Sequence, residues 1–184
     1  MCSSDLTDLD GDGDLDVLSA SRWDDKIAWY KNLGGGDFGD PLSNQQIITT
    51  SADYAWSVDT ADLDGDGDAD VLSASIKDDK IAWYENRLNE GTADFGDQQE
   101  ITTSADGASS VYAIDLDGDG DVDVLSASWN DNKIAWYENL GGGVFGPHQV
   151  ITYSVDQPYS VYATDLDGDG DADEIGRASC RERV

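Results

Sequence analysis

Basic residues are scarce in this sequence: 10 Lys and Arg stand against 40 Asp and Glu, a formal net charge of −30 over 184 residues. A field of that sign repels phosphate at long range, which excludes a nucleic-acid binder working through a basic patch. Long apolar runs are also missing. Nothing approaches the roughly 18 apolar residues of a membrane helix, so no membrane span is expected. Histidine occurs once, at His148, and no Ser/His/Asp set accompanies it. The two cysteines, Cys2 and Cys180, sit at the extremes, so residues 7–173 contain none. That interval still carries −30, from 37 acids and 7 bases. What the chain does have is six Trp, eight Tyr and 39% apolar residues, which argue for a packed fold rather than acidic disorder. Its length suits one domain or a piece of a larger one.

The two ends depart from everything between them. Glu174 to Val184 abandons the upstream pattern and resembles a translated sequencing adapter, as does Met1-Cys2-Ser3-Ser4-Asp5-Leu6. Residues 1–6 and 174–184 are therefore read as artefact and about 7–173 as the natural sequence. The other reading is a basic tail with a Cys2–Cys180 disulfide. With no true N-terminus, the missing signal peptide says nothing about export.

Half of the acids lie in one nine-residue pattern repeated four times. Asp8-Leu9-Asp10-Gly11-Asp12-Gly13-Asp14-Leu15-Asp16 recurs as Asp62–Asp70, Asp115–Asp123 and Asp165–Asp173, with starts 54, 53 and 50 residues apart. The flanks repeat too: Val17-Leu18-Ser19-Ala20-Ser21, then Asp24-Asp25-Lys26-Ile27-Ala28-Trp29-Tyr30-Lys31-Asn32, a glycine turn ending in Phe38-Gly39, and Gln46-Ile47-Ile48-Thr49-Thr50. The second unit carries an insertion, Arg87 to Ala93, in place of three glycines.

Each period predicts four short strands, rich in Val, Ile, Thr, Trp and Tyr and bounded by Gly, Asp and Asn. In the third unit they are Ser110–Ile114 (A), Val124–Ser128 (B), Lys133–Glu138 (C) and Gln149–Tyr153 (D), with Asp131-Asn132 turning B into C. Strand C is apolar on successive residues, as suits a strand covered on both faces, and its Trp29, Trp83 and Trp136 are assigned to the core. The expected fold is all-β: a partial β-propeller of four-stranded antiparallel blades of about 50 residues. Residues 7–61 form blade one, lacking its strand A, and run into strand A of blade two. Residues 62–114 and 115–164 are the second and third repeats, and 165–173 a truncated fourth loop. Three blades' worth of strands cannot close a ring, so the chain reads as an arc whose partners include the remaining blades.

Five aspartates in nine residues repel one another unless a cation neutralises them. Without one, such a loop is a solvated acidic turn. Carboxylate oxygens with no His or Cys select a hard cation, and their number favours Ca²⁺ over Mg²⁺. The candidate ligands are Asp8, Asp10, Asp12, Asp14 and Asp16; Asp62, Asp64, Asp66, Asp68 and Asp70; Asp115, Asp117, Asp119, Asp121 and Asp123; and Asp165, Asp167, Asp169, Asp171 and Asp173. Positions 1, 3 and 5 offer side chains, position 6 is glycine for the sharp turn, position 7 offers a carbonyl, and position 9 closes the shell. The Glu that an EF-hand needs at position 12 is Ser19, Ser73 and Ser126, and no helices flank the loops.

These loops, with Phe38-Gly39, Phe95-Gly96 and Phe145-Gly146 later in each unit, resemble the FG-GAP/VCBS repeat family, whose best-known fold is the propeller of integrin α-subunits. The resemblance covers residues 7–173. It implies Ca²⁺ in each A–B loop, an extracellular or cell-surface setting, and roles in adhesion or carbohydrate contact. The missing Gly-Ala-Pro half of the signature favours the bacterial-type branch.

Up-and-down blades put the B–C and D–A turns on the face opposite the aspartate loops. Residues there diverge between units while the framework repeats: Arg22, Trp23, Lys77, Trp129 and Asn130 in B–C turns, Tyr54, Trp56 and Tyr159 in D–A. Exposed aromatics on a rigid scaffold suit a glycan or an extracellular protein. Trp56 and Tyr159 could instead pack between blades. The chain itself is expected to be no enzyme; the alternative is an accessory or partial domain of a secreted polysaccharide-degrading enzyme.

Overall fold

The computed structural model describes residues 4–41, 43–87, 94–165 and 172–178. The first sheet is β1 (Ser4–Thr7), β2 (Asp16–Ser21), β3 (Lys26–Tyr30) and β4 (Gln45–Thr49). The second is β5 (Ala55–Ala61), β6 (Asp70–Ser75), β7 (Lys80–Tyr84) and β8 (Gln99–Thr102). The third is β9 (Ala108–Ile114), β10 (Asp123–Ser128), β11 (Lys133–Tyr137) and β12 (Gln149–Thr152), and β13 (Pro158–Thr164) pairs with β14 (Asp173–Ala178). Each four-stranded sheet is an antiparallel meander in chain order, a propeller blade. Among the described residues no helix is long and apolar enough to cross a membrane.

The repetition extends to register. Ser19 faces Ala28, Ser73 faces Ala82 and Ser126 faces Ala135, and strands C and D slip by one residue at the same Ile-Ala step in all three blades. Strand A of the third unit begins two residues earlier than its sequence pattern predicts, at Ala108. Strands C and D each end one residue sooner, at Tyr137 and Thr152.

The first blade, expected to lack its strand A, has one: β1 pairs with β2 from Ser4↔Ser19 to Thr7↔Asp16. The fourth unit, expected to end with its loop, is continued by β14, from Thr164↔Asp173 to Pro158↔Ala178. The reason is common to both. A ladder is built from main-chain groups, and an unpaired strand edge accepts almost any extended segment, whatever its side chains.

Strands B and C explain how blades stack. Leu72, Ile81 and Trp83 of blade two point forward into a cluster with Val111, Val124 and Tyr137 of blade three. Val71 and Tyr84 point backward, into a cluster with Leu18, Ile27 and Trp29 of blade one. Alternate residues of each strand thus serve two neighbours, so the strand-C run has no polar gaps. Trp29 and Trp83 are buried as expected; Trp136 is half-buried over the two-stranded fourth unit. Strands β5, β9 and β13 lie side by side, while β4, β8 and β12 are exposed outer strands rich in Gln and Thr. Among the described residues none packs behind blade one, where Val17, Tyr30, Phe38, Pro41 and Asn44 line an open cavity of about 240 Å³.

Candidate functional site

The aspartate loops are shaped by their own backbone amides. At position 1, Asp62 Oδ1 accepts the Gly65 N–H (2.8 Å) and Oδ2 the Gly67 N–H (3.0 Å); Asp115 does the same with Gly118 and Gly120 (2.8 and 3.1 Å). At positions 3 and 5, Asp64 and Asp66 accept the N–H two residues on (3.1 and 2.9 Å), as do Asp117 and Asp119 (3.2 and 2.9 Å). Position 6 needs a positive φ, +97° at Gly67 and +100° at Gly120, which glycine adopts without strain.

The position-9 aspartates Asp16, Asp70 and Asp123 are fully buried. Each carboxylate accepts the N–H of the position-2 leucine (2.9–3.0 Å) and of the asparagine after strand C (2.8 Å). Burial nevertheless pushes the Asp70 carboxyl up to about 7, and raises Asp16 and Asp123 as well. Two amide donors do not replace the lost hydration. A carboxylate oxygen has two lone pairs, which leaves capacity for a cation.

In three loops one oxygen from each of three aspartates converges within 4.8 Å: Asp8, Asp10 and Asp16; Asp62, Asp64 and Asp66; Asp115, Asp117 and Asp123. These all-oxygen sets can hold a hard metal ion. Positions 1 and 3 converge in all three, joined by position 9 in the first and third loops and by position 5 in the second, where Asp70 is not in the set. The position-7 side chains stay outside: Asp14 and Asp121 lie against the glycine turns at Gly34 and Gly141. Asp68 joins no cluster either, and Asp12 and Asp119 are not in theirs. Of the fourth loop, Asp165 is exposed, while Asp167, Asp169, Asp171 and the Asp173 side chain lie outside the described residues.

Sequence reasoning missed the asparagine that follows strand C. Asn86 Nδ2 donates to Ala69 O in its own loop (3.0 Å) and to Leu9 O in the preceding blade's loop (2.9 Å). Asn139 repeats this with Val122 O (3.0 Å) and Leu63 O (2.8 Å). Consecutive aspartate loops are thereby latched. Its occurrence in all three units was the available signal.

On the opposite face, the residue before strand C has positive φ in each blade: Asp25, Asp79 and Asn132. Its side chain accepts an N–H from the next blade, at Tyr54, Gly107 and Gln157 (2.8, 2.8 and 2.9 Å). The turns are therefore held across blades. Five of the divergent residues gather here. Trp23 is 76% exposed and meets Tyr54 edge-on at 5.5 Å; Tyr54 stacks on Trp56 at 6.2 Å. The Arg22 guanidinium lies 4.5 Å from the Trp23 ring centre and the Lys77 ammonium 4.8 Å from that of Tyr54. Two blades away, Trp129 and Tyr159 form a separate edge-on pair at 3.9 Å. Exposed Asn130 joins neither group and donates to Asp106 (2.8 Å). His148 is exposed on the outer edge.

The fold has known counterparts. A lectin of Agrocybe aegerita that recognises non-reducing terminal N-acetylglucosamine superposes with a TM-score of 0.63 at 21% identity, over 94% of this chain and 46% of that one. The V. cholerae biofilm matrix protein Bap1 gives 0.49 at 22% identity, over 96% and 28%. The Photorhabdus luminescens Tc holotoxin pore gives 0.49 at 20% identity, over 94% and 8%. The chain thus spans less than half the length of each. No curated protein matches it. The FG-GAP-like repeat matches at residues 8–73, 65–126 and 115–175, in step with the aspartate loops and the sheets that they join, and the chain belongs to that family.

Proposed function

We propose that this chain is a recognition module that binds a glycan through its B–C/D–A face, with Ca²⁺ in the aspartate loops stabilising the blades. The observation that carries the reading is the cluster of Arg22, Trp23, Tyr54, Trp56 and Lys77, in which an exposed indole is held by ring and cation contacts. A sugar offers C–H faces to an aromatic ring and hydroxyls to cationic donors. Its turns are already fixed by hydrogen bonds between blades, so little ordering entropy opposes binding. The lectin with the same fold supports the ligand class; an extracellular protein is the second partner that such a face fits. The module binds without turnover, any chemistry lying in other domains.

Calcium is the ion that the donor set favours, through its number of carboxylate oxygens and its flexible shell. Extracellular modules bind it with Kd of about 10⁻⁴–10⁻³ M. Sites that weak fill only at extracellular calcium concentrations, which supports a secreted or cell-surface setting.

Glycan-array screening in millimolar Ca²⁺, followed by calorimetry on the best hit, tests the reading. Trp23→Ala removes a mostly exposed ring, so the fold persists and affinity falls about tenfold, as for a central aromatic anchor. A chain whose glycan binding is unchanged in Trp23→Ala and in Trp129→Ala does not use this face.

A further inference from the structure

The three described aspartate loops are not equivalent, and the difference traces to one residue. The position after the strand-C tyrosine is Glu85 in blade two and Glu138 in blade three, but Lys31 in blade one. Glu85 is paired with Arg87 (2.6 Å) and Glu138 accepts from Gln149 (3.3 Å). Lys31 turns into its own loop instead, paired with Asp10 and, at 3.0 Å, with Asp12.

The loop has adapted to it. In blades two and three the position-3 carboxylate accepts the position-5 N–H. In blade one that N–H, of Asp12, goes to Asp8 Oδ1 at 3.2 Å. Asp10 has swung its Oδ2 to the ammonium, leaving its Oδ1 buried without a donor. Asp8, Asp10 and Asp16 still converge, so the loop is as compact as its sisters.

We propose that the Lys31 ammonium is the resident cation of the first aspartate loop, which keeps its shape without metal and binds Ca²⁺ more weakly than loops two and three. An incoming ion must displace two ion pairs that are partly exposed, and meets a charge two units more positive than beside glutamate. Together these weaken the site by about tenfold or more. The orphaned Asp10 Oδ1 is the ligand that a metal recovers once the ammonium is removed. The choice of Ca²⁺ rests on the function proposed above; the ammonium contact does not.

The test uses the full chain. Backbone amide exchange in EDTA and then in Ca²⁺ reads each loop separately through its position-6 glycine. Gly13, bonded to Asp8 Oδ2 at 2.8 Å, stays protected in EDTA, whereas Gly67 and Gly120 become protected only with Ca²⁺. Calorimetric Ca²⁺ titration of Lys31→Glu and of Lys31→Met then finds one more site per chain than in the parent at the same concentrations. Three loops responding alike to Ca²⁺, or an unchanged site count in both variants, would overturn the assignment. If no loop binds Ca²⁺ in parent or variants, the calcium reading fails together with it.

Discussion

Asn139 is the place to measure what latches one blade to the next. It is buried; its Nδ2 donates to Val122 O within its own loop and to Leu63 O in the preceding one, and its Oδ1 accepts the Gly141 N–H at 3.1 Å. Asn139→Ala removes all three bonds and leaves Leu63, itself buried, with a carbonyl that water cannot reach. At about 1 kcal/mol per bond the loss is about 3 kcal/mol. For a chain of this size that lowers the thermal midpoint by about 6–12 °C. Asn32 is the internal control. It makes the bond within its own loop, to Leu15 O at 3.1 Å, and accepts from Gly34 and Gly36, and among the described residues it makes no bond to another blade. Asn32→Ala also removes three bonds, but the Leu15 carbonyl it frees belongs to an exposed residue, so it should cost about 1–2 kcal/mol less, the penalty of stranding the buried Leu63 carbonyl. Thermal unfolding followed by circular dichroism at fixed Ca²⁺ measures both. If Asn139→Ala costs no more than Asn32→Ala, the latch does not hold the blades.

Two further outcomes follow from the same geometry. Raising Ca²⁺ to ten times its Kd adds about 1.4 kcal/mol per filled loop, so two loops lift the midpoint by about 6–12 °C. Equal Mg²⁺, which resists dehydration and demands octahedral geometry, has little effect; identical Ca²⁺ and Mg²⁺ curves in a calorimetric scan would refute the calcium assignment. Gly142 and Gly143 both have positive φ, but a Cβ on Gly143 would lie 2.4 Å from the Trp83 ring while one on Gly142 meets open space. Gly142→Ala should cost about 1–2 kcal/mol, from backbone strain alone. Gly143→Ala should cost about 1–3 kcal/mol more, from overpacking, with a shifted Trp83 fluorescence. Equal losses in urea melts would mean that the glycine turn does not seat on the indole.

The blades were legible because their signal is written three times: period, strand runs and turn residues agree, and the predicted strands fall within two residues of those observed. The spacing of the aspartates placed an acidic cluster in each loop but not which three of the five carboxylates converge, which differs from loop to loop. What was not legible depends on neighbours. The reach of Asn86 and Asn139 into the preceding blade cannot be read from one repeat, and the Lys31 substitution matters only because its side chain turns inward. Ser4–Thr7 and Asp173–Ala178 joined ladders against expectation, because pairing is decided by a vacant edge and not by the identity of the residues that fill it.

The two sides of a blade differ chemically, Leu, Ile and Trp pointing one way along the stack and Val and Tyr the other. A surface of the first kind fits the second and not itself. Stacking through these surfaces is accordingly heterologous: the same rotation is repeated from each blade to the next, and it generates a ring if that rotation closes and an open helix if it does not. The cavity beside Val17 and Tyr30 therefore lies on the Val and Tyr side of its blade, the side that in blades two and three meets the Leu, Ile and Trp of a neighbour.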